Sequence, residues 1–156
     1  MQGSYRMSVT IDTNVMVYAS NKSDPLHPIA RDLLEKLTSG PEIVYLFWPT
    51  LMGYLRIVTH PSILPNPLRF AEATGNVAAL LDCPHIQTPG EADGFWELYL
   101  ATSKTPIGGN DIPDSHLAAL MRQYDVGIIY TRDRRFRQFD GIRVRDPFEF
   151  IRNPEN

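Results

Sequence analysis

The chain has 156 residues, 43% hydrophobic and 21% charged, with a formal net charge of −3, the make-up of one ordinary globular domain large enough for a sizeable core. That charge argues against nucleic-acid binding through global electrostatics, and no apolar run approaches the roughly 20 residues a bilayer span needs. Cys83 is the only cysteine, which excludes an internal disulfide and fits a reducing cytoplasm.

Residues 1–6 are polar, lack the pattern of a signal peptide, and read as a leader or an alternative start ahead of Met7. A single domain then spans 7–153. Val9-Thr10-Ile11 is a short buried strand that ends on Asp12 and turns at once into the apolar helical run Val15-Met16-Val17. Pro28 opens a helix carried by Ile29, Ala30, Leu33, Leu34 and Leu37 and stopped by Ser39-Gly40-Pro41. Ile43 to Phe47 reads as a strand, 49–58 as a helix, 69–81 as another and 85–87 as a short strand. The spacing predicts a helix over 90–103, with Phe95, Leu98 and Tyr99 on one side, followed by a loop over 106–110. Pro113 suits the first turn of a helix ending near Tyr124. Val126 to Tyr130 is a strand, and Val144 begins a last one. Trp48, Trp96 and Cys83 read as core or contact residues. Strands alternating with helices predict an α/β fold, a three-layer α/β/α sandwich around a mainly parallel sheet.

In such sheets ligands bind at the carboxyl ends of the strands, and three acids fall there. Asp12 is either a helix N-cap or the first member of a charged site. Asp114 lies in the first turn of its helix, where the dipole favours a negative charge, with Asp111 three residues earlier as the expected cap. Asp133 follows the strand ending at Tyr130 and suits an Asx turn. Like charges crowded together need a counter-ion, and an all-oxygen cluster calls for Mg²⁺ or Mn²⁺. Carboxylate-held divalent ions polarise a phosphoryl group and activate water, which fits phosphodiester hydrolysis. A phosphomonoesterase using Asp12 as nucleophile would want a second acid two residues on, where Asn14 stands.

From Thr131 onward the chain is locally basic: Arg132, Arg134, Arg135, Arg137, Arg143, Arg145 and Arg152 outnumber the acids, and arginine grips phosphate bidentately. The alternative is a solvated arginine-rich edge. The four histidines (His27, His60, His85 and His116) lack paired zinc spacing. Gly108-Gly109 is a flexible turn, not part of a nucleotide-binding loop.

Ile11-Asp12-Thr13-Asn14-Val15, Tyr54 to Pro61, Asp114-Ser115-His116-Leu117-Ala118-Ala119-Leu120 and Thr131-Arg132-Asp133-Arg134-Arg135-Phe136 together resemble a PIN domain of the VapC toxin type. The resemblance covers nearly all of 7–153. It implies a PIN-like fold and a Mg²⁺- or Mn²⁺-dependent endoribonuclease that dimerises in the cytoplasm and is restrained by a VapB-type antitoxin. Mapped by motif, it makes Asp12, Asp114 and Asp133 catalytic, and Asp12 and Asp114 the metal ligands. Asn14, Thr131 and Asp111 support the metal, and Arg132, Arg134 and Arg135 meet RNA. Two positions depart from the family pattern. Gly53 stands where a Glu is common, and Arg135 where a second Asp is usual. The first departure favours one metal over two. A chain with an incomplete acid set is alternatively an RNA- or protein-binding module of the same fold.

Overall fold

The computed structural model describes residues 8–103 and 107–149. The leader at 1–6, the domain end at 153, Pro106 and Arg152 lie outside them. Five parallel strands form one sheet: β1 (Val9–Ile11), β2 (Val44–Tyr45), β3 (Ile86–Gln87), β4 (Ile128–Tyr130) and β5 (Arg143–Arg145), in the order β3-β2-β1-β4-β5. Six α-helices connect them: α1 (Thr13–Ser20), α2 (His27–Thr38), α3 (Trp48–Val58), α4 (Phe70–Leu81), α5 (Phe95–Thr102) and α6 (Ile112–Gln123).

Alternation along the strands sorts the core into two layers. Val9, Ile11, Val44 and Ile128 face a cluster with Met16, Leu51, Tyr54, Val58, Ala73 and Val77 from α1, α3 and α4. Ile129 and Phe47 face the other side, with Leu117, Ala118, Leu120 and Met121 of α6. The three-layer sandwich expected from the sequence is thus the observed one. Among the described residues no helix is long and apolar enough to cross a membrane.

The central strands β1 and β4 pair in register, Ile11 opposite Tyr130, and the amide of Asp12 continues the ladder to the Tyr130 carbonyl at 2.9 Å. β1 therefore ends where α1 begins, beside the ends of β4 and β5.

Four expectations need correction. The helix expected over 90–103 begins only at Phe95, because Gly94 adopts φ +82°, a left-handed conformation that breaks any helix running through it. The strand expected over 43–47 pairs only at Val44–Tyr45. Of the two readings of Trp48 and Trp96, core or partner contact, the core one falls: they are 45% and 63% exposed, and Trp96 stacks on Tyr99. Cys83 is only half-buried, its Sγ donating to the Ala79 carbonyl.

A 3₁₀ helix (Arg134–Gln138) after β4 is anchored by Phe136, which is fully buried against Phe139 and α6. Phe136→Ala removes this anchor and is expected to destabilise the protein by about 3–5 kcal/mol, read as a fall in the urea midpoint at unchanged m-value.

Candidate active site

Three chain segments bring carboxylates to one edge of the sheet. Asp12 terminates β1 and caps α1: its Oδ1 accepts from the Thr13 amide at 2.7 Å. Its Oδ2 accepts from the Thr131 hydroxyl at 2.7 Å and from Asn14 Nδ2 at 3.4 Å. The capping and charged-site readings of Asp12 are thus both satisfied, by different oxygens of one carboxylate. Asn14 Nδ2 also lies 3.4 Å from the Thr131 hydroxyl, so Asp12, Asn14 and Thr131 form one unit.

Asp114 stands in the first turn of α6, opened by Pro113. Its Oδ2 is buried without a hydrogen-bond partner. Asp133 forms the expected Asx turn, its Oδ1 accepting from the Arg135 amide at 3.0 Å. Asp111 precedes α6, but its side chain makes no capping bond. The 3₁₀ turn at Gly109–Asp111 runs into the helix, so the first-turn amides of α6 have no Asp111 cap.

Arg135 ties the acids together. Its guanidinium binds Asp133 through Nε (3.1 Å) and Nη2 (2.8 Å), reaches Asp111 Oδ1 at 3.5 Å, and lies 3.8 Å from Asp114 Oδ2. Hydrogen bonding from Arg135 holds the Asp133 carboxyl below the usual carboxylate range. The other two acids are pushed the opposite way. Burial raises the Asp12 carboxyl. Burial, with the nearby Asp12 and Asp133 charges, lifts Asp114 to about 6.

Asp12, Asn14, Asp114 and Arg135 line a cleft of about 510 Å³ with Thr13, Pro49, Thr50, Gly53, Arg56 and Leu117 among its walls. Gly53 sits on α3 facing α1, where an added Cβ would lie 3.2 Å from Thr13 Oγ1. The cleft thus has no acid on its α3 wall, and Arg56, one turn further on, enters instead. Arg56 was missed as a site residue, although its i, i+3 spacing from Gly53 places both on one helix face.

The three arginines expected at RNA do not converge. Arg135 reaches the carboxylates. Arg132 turns to α1, donating to the Tyr18 hydroxyl at 3.1 Å with its guanidinium 6.0 Å from the ring centre. Arg134 lines a separate pocket beside β5. His116 pairs with Glu91 at 2.6 Å, and its hydrogen bond pulls that carboxyl down.

The donors suit a hard cation. Three of the cleft's oxygens, Asp114 Oδ2, Asn14 Oδ1 and Thr50 Oγ1, are buried without a hydrogen-bond partner. Two desolvated carboxylates beside them leave a deficit of positive charge. Among the described residues no group of three or more His, Cys, Asp or Glu is arranged to hold a metal. The set fits one divalent ion held by one or two carboxylates, with water completing its shell, as Mg²⁺ commonly binds.

Residues 9–142 match the PIN domain family. Ribonuclease VapC48 of Mycobacterium tuberculosis is 45% identical over 144 residues, covering 91% of this chain and 99% of that protein. Ribonuclease VapC43 of the same organism is 31% identical over 140 residues, covering 89% and 95%. Among solved structures, VapBC2 of Rickettsia felis, bound to a DNA fragment from its promoter, aligns with TM-score 0.64 at 16% identity over 89% of this chain and 98% of that one.

A parallel sheet with acids gathered at its carboxyl edge is thus the PIN-domain arrangement, and the chain belongs to that family. Within it, the chain is a ribonuclease of the VapC toxin type.

The raised carboxyls have a thermodynamic consequence. A folded-state pKa above the unfolded value of 3.8 means that the native state binds more protons, so stability falls as pH rises from about 4 to above 6. In EDTA at pH 7.5, Asp114→Asn is expected to stabilise the protein by about 1–2 kcal/mol, discounted for a half-buried site. That is about 2–8 °C in melting temperature, and thermal scans should show the gain vanishing near pH 4.

Proposed function

We propose that the chain is a metal-dependent endoribonuclease whose site is the cleft between the N-termini of α1 and α6. Asp12 and Asp114 would hold one Mg²⁺ or Mn²⁺, with Asn14, Thr131 and Asp111 in support. The observation that carries this reading is the buried Asp114 Oδ2, which makes no hydrogen bond, beside the desolvated Asp12 carboxylate. When bound, the ion supplies phosphoryl polarisation and a lowered pKa for water.

The chain's own groups do the rest. Thr131 and the Thr13 amide fix the Asp12 carboxylate in one orientation. Arg56 and Arg135 line the same cleft and meet the non-bridging oxygens of the phosphodiester. Asp133 is a positioning residue, holding the Arg135 guanidinium through a bidentate contact. Leu117 and Ile57 keep part of the cleft wall apolar, which strengthens these interactions.

The protein would act in the cytoplasm as a homodimer. A VapB-type antitoxin would restrain it, in line with the solved VapBC2 complex. The decisive experiment is cleavage of total cellular RNA with Mn²⁺ or EDTA, read by end-sequencing. Discrete cuts that need Mn²⁺ and fall at least about a hundredfold in Asp12→Asn are expected. RNA binding that persists in EDTA without any cleavage in Mn²⁺ would instead make the chain a binding module.

Arg135 competes with the ion for Asp114. Arg135→Gln is therefore expected to bind Mn²⁺ about threefold to fivefold more tightly by calorimetry, with one site per chain.

A further inference from the structure

Beside the cleft lies a second, smaller pocket of about 320 Å³, lined by Tyr130, Arg134, Arg137, Val144, Arg145, Asp146, Pro147 and Glu149. We propose that Arg134, Arg137 and Arg145 form an anion subsite that holds a backbone phosphate of the RNA flanking the scissile bond. The inference rests on the nuclease reading of the neighbouring cleft and adds to it a grip outside that cleft.

Three observations carry it. First, the arginines come from two different elements, the 3₁₀ helix and β5, yet converge on one concavity. All three are exposed. Second, among the described residues none of the three forms an ion pair, although Asp146 and Glu149 share the pocket. Arg145 makes one neutral contact, Nη1 donating to the Tyr130 hydroxyl at 3.4 Å. The lining sets three cations against the two carboxylates of Asp146 and Glu149, a net positive charge, and a phosphate accepts from several guanidinium groups at once.

Third, the backbone puts this pocket on the same edge of the sheet as the carboxylates. The Thr131 amide donates to the Arg145 carbonyl at 3.0 Å, and the Thr131 hydroxyl binds Asp12. Arg134 directly precedes the Arg135 that enters the cleft. A strand lying across the carboxylates toward β5 therefore meets this pocket next. An acidic protein segment is the competing occupant, but nothing in the pocket offers it an apolar anchor beyond Val144 and Pro147. A phosphate needs only the charge.

The contact would position RNA without reading its sequence. The test uses the full chain carrying Asp12→Asn, so that RNA stays intact, and a fluorescein-labelled 20-nucleotide single-stranded RNA of mixed sequence. Fluorescence anisotropy is measured in EDTA across a salt series, with and without Arg137→Ala and Arg145→Ala. The double substitution is expected to weaken binding roughly tenfold at low salt. It should also flatten the plot of log affinity against log salt by about 0.7, the change for one lost phosphate contact to a single strand. Arg137→Lys with Arg145→Lys should keep most of the slope. Because the substituted side chains are exposed, unchanged circular dichroism and melting temperature are expected alongside.

Unchanged affinity and slope in the alanine variant, from a protein whose wild type cleaves RNA in Mn²⁺, would overturn the subsite and leave the nuclease reading standing. Absence of both cleavage by the wild type and RNA binding by the parent variant would bring down the two together.

Discussion

The crowding of Asp12, Asp114 and Asp133 at one sheet edge is the constraint on which the site depends. A folded domain tolerates that much negative charge in partly desolvated surroundings only with compensation. Two helix N-termini contribute at α1 and α6, hydroxyl and amide donors contribute at Asp12, and one guanidinium serves Asp133. Compensation is uneven. Asp133 is held by the Arg135 guanidinium and sits low, whereas the buried Asp114 Oδ2 has only that guanidinium 3.8 Å away, makes no hydrogen bond, and sits high. The unevenness separates the carboxylates into one that holds a cation of the chain itself and two whose charge burial disfavours.

The departures at Gly53 and Arg135 change the same quantity. Gly53 leaves the α3 wall of the cleft without a carboxylate, and Arg135 adds a positive charge between α6 and the 3₁₀ helix. Each makes the cleft less negative than a fuller acid set would. Arg56 moves it further in that direction from the opposite wall.

Much of this was legible in the sequence, because period-two apolar runs, prolines at helix starts and acids at strand ends are local signals. The order of elements and the parallel sheet follow from them, as does the gathering of Asp12, Asp114 and Asp133, whereas Asn14 and Thr131 entered only through the family resemblance. What escaped is what depends on direction. Three arginines within four residues read alike in sequence. The turn after β4 nevertheless sends Arg132 toward Tyr18, Arg135 into the cleft and Arg134 toward β5. The late start of α5 depends on the backbone sign at Gly94, which sequence does not display.

Thr131 is 0% exposed and stands at the junction of three segments. Its hydroxyl accepts from the Asp133 amide at 2.9 Å and is 2.7 Å from Asp12 Oδ2. A hydroxyl has one proton to give, and here the carboxylate takes it. The bonds therefore run one way, from the backbone of the turn, through the hydroxyl, to the charge at the end of β1. Serine could carry that one-way chain; valine, close to threonine in size and shape, would cut it at both ends. The polarity of a single oxygen atom thus ties the turn carrying Asp133 to the carboxylate at the end of β1.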